Sequence, residues 1–212
     1  MEKIVPIIAG AIPKTEVTNS SAIRSPMLED EKRLIQGAQR GETSCFSALY
    51  DHYLPPIYRF IYLKVTHREA AEDLAHDVFL SAWQNIGGYE MQGFPFGSWL
   101  YQIARNKVID FYRLRKNNTS LEQMDANLLK ADPVLEVSVD RIFTLEEVKN
   151  SIRTLTQDQQ DVLIMKFIED LPHPQIAHII QKSQGAVRLI QHRALKELKK
   201  RLVPENNMGN SA

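Results

Sequence analysis

Three groups of residues have types and spacings that could do chemistry. The first lies near the C-terminus. Ala177 is followed ten and thirteen positions later by Val187 and Ile190. That spacing suits two crossing helices, with a small residue at the crossing and aliphatic residues on the second helix. Val187, Ile190, Ala194, Leu198 and Leu202 would form its buried stripe. Ser183 would cap its first turn through the hydroxyl. Gln184, Arg188 and His192 would then lie on the opposite side, free to enter a DNA major groove. There Arg pairs with guanine and Gln with adenine. Arg193, Lys196, Lys199, Lys200 and Arg201 extend a basic surface suited to phosphates. The plainer alternative is a helical hairpin with a solvated basic face.

The second group runs from Tyr89 through Phe94-Pro-Phe-Gly-Ser-Trp-Leu-Tyr-Gln-Ile-Ala-Arg-Asn-Lys-Val-Ile-Asp-Phe-Tyr-Arg-Leu-Arg-Lys116. Rings interleaved with cations and Asn suit unstacked bases, because rings stack on bases, cations hold phosphates and Asn reads base edges. Phe96, Leu100, Ile103 and Ala104 form a core stripe, and Phe96, Trp99 and Phe111 are expected in the core. Gln102, Arg105, Asn106, Ile109 and Arg113 share another face. Tyr89 and Phe94, in a segment with Gly87, Gly88 and Gly93, are the rings expected to be exposed. The third group is an acidic helical front, Glu69, Glu72, Asp73 and Asp77, opposite Leu74, Val78, Phe79, Ala82 and Trp83. By spacing alone it is an ordinary amphipathic helix with acids favoured near its N-terminus.

Catalysis finds little support. The six histidines form no His-Glu-x-x-His pattern, and there is neither a Gly-rich phosphate loop nor a nucleophile elbow. No cofactor and no metal site are expected. Cys45 is the sole cysteine, so an intramolecular disulfide is impossible. It reads as a small core residue, and its solitude fits a reducing, cytoplasmic setting. The opening apolar run is broken by Pro6 and Pro13, unlike a secretory signal. No stretch approaches the ~20 apolar residues of a spanning helix, so membrane insertion is not expected.

Helical periodicity dominates the chain, and the expected fold class is all-α. Helices are expected over Met27 to Gln39, Thr43 to Tyr53, Pro56 to Val65, Arg68 to Asn85 and Pro95 to Arg115. Pro55-Pro56 is read as a break. Helices resume over Val139 to Arg153, from the Thr156-Gln-Asp-Gln159 capping-box pattern to Ile168, from Pro172 to Gln181, and from Gln184 to Val203. The chain thus divides into a disordered tail (1–26), a first domain (27–116), a flexible linker (117–138), a helix-turn-helix domain (139–203) and a frayed tail (204–212). Of 212 residues, 26 are basic and 26 acidic, but residues 121–150 carry −4 and residues 151–212 carry +3. Fifteen of the seventeen aromatic residues lie between Phe46 and Tyr112, so the two domains are differently built.

The motifs Leu49-Tyr50…Ile57-Tyr-Arg-Phe60, Ala71-Glu-Asp-Leu-Ala-His-Asp-Val-Phe-Leu-Ser-Ala-Trp83 and Phe96-Gly-Ser-Trp-Leu-Tyr-Gln-Ile-Ala-Arg-Asn-Lys-Val-Ile-Asp110 resemble the first conserved domain of extracytoplasmic-function (ECF) sigma factors, of the sigma-70 family. The helix-turn-helix resembles their second domain. The resemblance covers residues 28–203 and keeps the family's order. It implies a transcription initiation subunit that binds core RNA polymerase and promoter DNA, with an anti-sigma factor as a further partner. Glu72, Asp73 and Asp77 would lie at the polymerase contact. Tyr89, Phe94, Arg105, Asn106, Arg113, Arg115 and Lys116 would hold the non-template strand of the −10 element, capturing a flipped base. Ser183, Gln184, Arg188, His192, Arg193 and Lys196 would read the −35 element as duplex. The chain departs from the family at Gln175, where an acid is frequent, at Gln181, where Gly is common, and at Ala186, where Thr is more usual. A regulator that binds duplex DNA without polymerase is the alternative. The first domain discriminates, since such a regulator would use it for a ligand or a dimer contact.

Overall fold

The computed structural model describes residues 30–65, 67–119 and 150–202. The expected tails at 1–26 and 204–212, and most of the expected linker, lie outside these residues. Among the described residues every regular element is helical. The first domain comprises α1 (Glu31–Gln39), α2 (Thr43–Val65), α3 (Arg68–Asn85), a single 3-10 turn at Ile86–Gly88 and α4 (Phe96–Thr119). The second comprises the end of a helix at residues 150–153, then α5 (Gln157–Phe167), α6 (His173–Ile179) and α7 (Gln184–Leu202).

Two expected boundaries are corrected. Thr43 to Val65 is one helix, with Pro55 and Pro56 inside it. Each proline removes a backbone donor and crowds the preceding turn. Packing outweighs that loss here, because Leu49, Tyr53, Ile57, Phe60 and Ile61 form one buried stripe across both prolines. At its other end, α4 runs to Thr119, into the stretch assigned to the linker from residue 117.

In the first domain, α3 buries Ala71, Leu74, Ala75, Val78, Phe79 and Ala82 at helical spacing. α4 buries Phe96, Leu100, Ala104 and Val108 one turn apart. Both pack on α2, and α1 closes the bundle. The start of α4 is fixed from a distance. The Phe96 N–H donates to Glu31 Oε1 at 3.1 Å, so a buried carboxylate serves an end that the helix leaves unsatisfied. The Tyr53 hydroxyl donates to the same Glu31 oxygen. Burial, then the Glu31 bond, raises the Tyr53 pKa well beyond its ordinary value.

In the second domain α5 begins as expected. The Thr156 N–H donates to Gln159 Oε1 at 2.9 Å, within a capping box. α6 and α7 form the helix-turn-helix around Ile176, Ala177, Ile180, Val187, Ala194 and Leu198, all buried.

Glycine is required at position 97. A Cβ there would stand 2.6 Å from Tyr53 Cε1, and that ring is held by Glu31 and the core. Gly97→Ala should therefore lower the unfolding free energy by about 1–3 kcal/mol, as overpacking of a tight core does, although Ala is the better helix former. Urea unfolding followed by circular dichroism measures this, and a stabilised variant would contradict the packing described.

Candidate nucleic-acid interface

On α7 the stripe from Val187 to Leu198 faces inward as the spacing predicts, and the Arg201 and Leu202 side chains lie outside the described residues. Val187, Ala194 and Leu198 are buried, with Ile190 half-buried beside them. Gln184, Arg188, His192, Arg193 and Lys196 are exposed on the other side. Ser183 Oγ accepts the Ala186 N–H at 3.2 Å and satisfies one free donor of the first turn. Leu189 stands 48% exposed within this polar row. His173 Nε2 bonds Gln191 Oε1 at 2.6 Å, fastening α6 to the flank of α7 and leaving the row itself clear.

The turn between these helices is strained at one residue. Gln181 has φ +56°, a left-handed conformation that costs a non-glycine residue about 1–2 kcal/mol. The backbone there closes on α6, with the Lys182 N–H donating to Ala177 O at 3.0 Å.

On α3, Glu69, Glu72, Asp73 and Asp77 form a continuous exposed acidic front. Arg68 Nε donates to Glu72 Oε1 at 2.7 Å across one turn. Leu80, 45% exposed, continues that face toward the C-terminal end of α3. Trp83 turns inward, its ring 4.9 Å from Phe46.

The ring-and-cation face of α4 is arranged differently from the expectation. Tyr89 and Phe94, expected to be exposed, are both half-buried. Tyr89 packs 4.8 Å from Trp99 and 5.2 Å from Phe96, and its carbonyl accepts Gln39 Nε2 at 2.8 Å. Phe94 stacks on the His178 ring of α6, centroids 4.3 Å apart and 17° from parallel. For Phe94 the reason is that the second domain sits on this face. Gln102 Nε2 donates to His178 O at 3.2 Å. Gln175 Nε2 donates to Ser98 Oγ at 2.9 Å, both side chains being buried. A carboxylate at position 175 could not make that donation.

Charged pairs cross this contact beside the apolar core. Arg105 Nε donates to Asp161 Oδ2 and its Nη2 to Asp158 Oδ1, each at 2.8 Å. Burial pulls the Arg105 pKa down, and the two carboxylates more than reverse it. Asp161 also holds Lys64 Nζ, and the side chains of both residues are fully buried. Beside them Arg59 grips Glu169 through two parallel bonds of 2.7 and 2.6 Å. Burial pushes the Glu169 carboxyl upward, and Arg59 draws it back part of the way. Lys182 Nζ reaches Asp158 Oδ2 at 3.3 Å.

Asn106 is exposed. Arg113 pairs with Asp110 at 3.1 Å in the open. Arg115 lies over the Phe111 ring, 5.3 Å from its centroid. The Lys116 side chain lies outside the described residues.

Lys64, Asp161, Arg59 and Glu169 were not singled out in the sequence. One signal was available. Lys64 falls on the apolar stripe of α2, and Asp161 directly precedes the buried run Val162–Met165. A charge on a core stripe needs a partner, but periodicity does not say where that partner is.

Residues 49–118 match the family model described as Sigma-70 region 2, and residues 151–200 match Sigma-70, region 4. The ECF RNA polymerase sigma factor BldN of Streptomyces coelicolor is 36% identical over 176 residues, which are 82% of this chain and 66% of that protein. The ECF RNA polymerase sigma factor SigW of Bacillus subtilis is 29% identical over 182 residues, 81% of this chain and 96% of that protein. Among solved structures, CnrH in complex with the cytosolic domain of CnrY aligns with a TM-score of 0.65 at 21% identity, over 84% of this chain and 100% of that one. RpoE in complex with the anti-sigma factor NepR from Bartonella quintana aligns with a TM-score of 0.57 at 22% identity, over 76% and 98%. The two structures share this chain's fold.

Gln181→Gly should raise the unfolding free energy by about 1 kcal/mol, the relief of a left-handed residue less the entropy of a freer chain. Thermal denaturation reads this as a higher midpoint; a lower one would show that the Gln181 side chain contributes more than its backbone loses.

Proposed function

This chain belongs to the extracytoplasmic-function group of the sigma-70 family, and from that premise we propose that it binds core RNA polymerase, directs it to particular promoters and opens the −10 element. The observation that carries this reading is the ordered pair of regions, ending in a helix-turn-helix that leaves Gln184, Arg188 and His192 exposed in one row. The chain itself catalyses nothing and works in the cytoplasm. No described helix is long and apolar enough to cross a membrane.

Each domain has its task. Residues 27–116 dock on polymerase through Glu72, Asp73 and Asp77, with Leu80 adding an apolar contact to the acidic front. The same domain holds the −10 strand with Tyr89, Phe94, Arg105, Asn106, Arg113, Arg115 and Lys116. Residues 139–203 read the −35 duplex with Ser183, Gln184, Arg188, His192, Arg193 and Lys196. An arginine bidentate to guanine and a glutamine on adenine supply sequence discrimination, while the basic residues further along α7 supply phosphate affinity. Net charge is zero, so DNA affinity is borrowed in large part from polymerase. The RpoE structure holds an anti-sigma factor, which supports a partner of that class here.

Run-off transcription with purified core polymerase on a pool of genomic promoter fragments tests the reading. Discrete transcripts should appear only when the protein is added. Retarded duplex DNA without any transcript would favour a regulator that acts without polymerase. Arg188→Ala should cut promoter-specific transcripts about 10-fold, within the ~1–3 kcal/mol of one bidentate base contact. Asn106→Ala should lower strand opening, read by permanganate footprinting, while −35 duplex binding stays unchanged. Parental behaviour from both variants would sink the residue assignment.

A further inference from the structure

Leu189 is 48% exposed on α7, in a row otherwise made of polar and charged residues. A lone exposed leucine needs no explanation on an ordinary surface, but this one stands at the centre of a face. Val187, Ala194 and Leu198 are buried and fix the inward direction of α7. At 3.6 residues per turn the opposite direction is taken by Gly185, Leu189, His192 and Lys196. All four are exposed. Arg188 and Arg193 stand on either side of Leu189, and no acid occurs from Gln184 to Lys196. Such a run of cations suits a polyanion, and an apolar side chain among them suits an apolar group that the polyanion carries. In a DNA major groove one base group is of that kind, the 5-methyl of thymine.

Gly185 lies one turn before Leu189 on the same face. Its backbone is ordinary helix, without a positive φ. A Cβ there would meet only Ser183 Oγ, at 3.9 Å. Neither strain nor crowding within the chain calls for glycine, and glycine weakens the helix it sits in. The clearance it leaves is on the outside. A first turn without a side chain at that point lets the backbone of α7 settle deeper toward base edges, and that brings Leu189 within reach of a methyl group.

We propose that Leu189 is a specificity-determining contact with the −35 duplex, packing on the 5-methyl group of one thymine, and that Gly185 provides the clearance for it. The proposal rests on the reading of α7 as the −35 recognition helix. Gln184 and Arg188 are then left to hydrogen-bond neighbouring base edges, while Leu189 selects thymine over cytosine, which lacks the methyl.

The test removes one methyl group from the DNA. Core polymerase loaded with the full chain would transcribe one promoter fragment taken from the genomic pool. In matched fragments each thymine of the −35 element, on either strand, is replaced singly by deoxyuridine, which pairs alike but has no 5-methyl. At one position the replacement should lower transcription by the parental chain about 4-fold, the worth of one buried methyl group. With Leu189→Ala the thymine and deoxyuridine fragments should give equal yields at that position, both reduced. Gly185→Ala should raise the melting midpoint of the free protein, because alanine is the better helix former, yet lower transcription at least about 5-fold. Each ratio is taken within one variant, so a general loss of folding or polymerase docking cancels. The proposal is overturned if no −35 thymine responds to loss of its methyl. It is overturned equally if Leu189→Ala keeps the parental ratio, which would place Leu189 against a protein partner or in support of the fold, or if Gly185→Ala transcribes like the parent. Absence of transcripts from every fragment with the parental chain is a different failure, which would sink the sigma-factor reading and the proposal with it.

Discussion

One buried carboxylate, that of Asp161, organises the meeting of the two domains. It lies out of contact with water and accepts from Lys64 of α2 and Arg105 of α4. A lone charge in that position would be costly by several kcal/mol, so each of the three residues depends on the other two. The rest of the interface is arranged around them. Arg59 pairs with Glu169, Lys182 with Asp158, and Gln102, Ser98 and Gln175 make polar contacts between α4 and α6. Buried apolar residues of both domains belong to one core cluster, so the contact is apolar as well as ionic.

The same charges link fold to function. α4 is anchored at its start by Glu31 and packed through Phe96, Leu100, Ala104 and Val108, so its outward face is rigidly presented. That face carries the second domain through Gln102 and Arg105. By contrast the recognition row on α7 and the acidic front of α3 remain exposed in the free chain.

Much of this was legible in the sequence. Helix starts and stops followed from period and caps, as at Thr156 with Gln159 and at Ser183. The recognition row of α7 followed from the same period. Three things were not legible. Pro55-Pro56 is a strong local breaker, and only the stripe from Leu49 to Ile61, read across it, shows a single helix. The second is the contact between domains. Lys64 and Asp161 are 97 residues apart, and no local pattern relates them. Tyr89 and Phe94 were expected in the open because they sit among glycines. They are covered because Trp99 and Phe96 on one side, and His178 on the other, supply flat surfaces.

The central claim is that the two domains of the free chain meet around Asp161, on one face of α4. It is tested most directly by a distance measured in solution. Spin labels on the native Cys45 and on a cysteine replacing the exposed Lys200 would report the separation of the two domains by pulsed electron resonance. The free protein should give one narrow, short distance. A broad, long distribution in the free protein would contradict the claim.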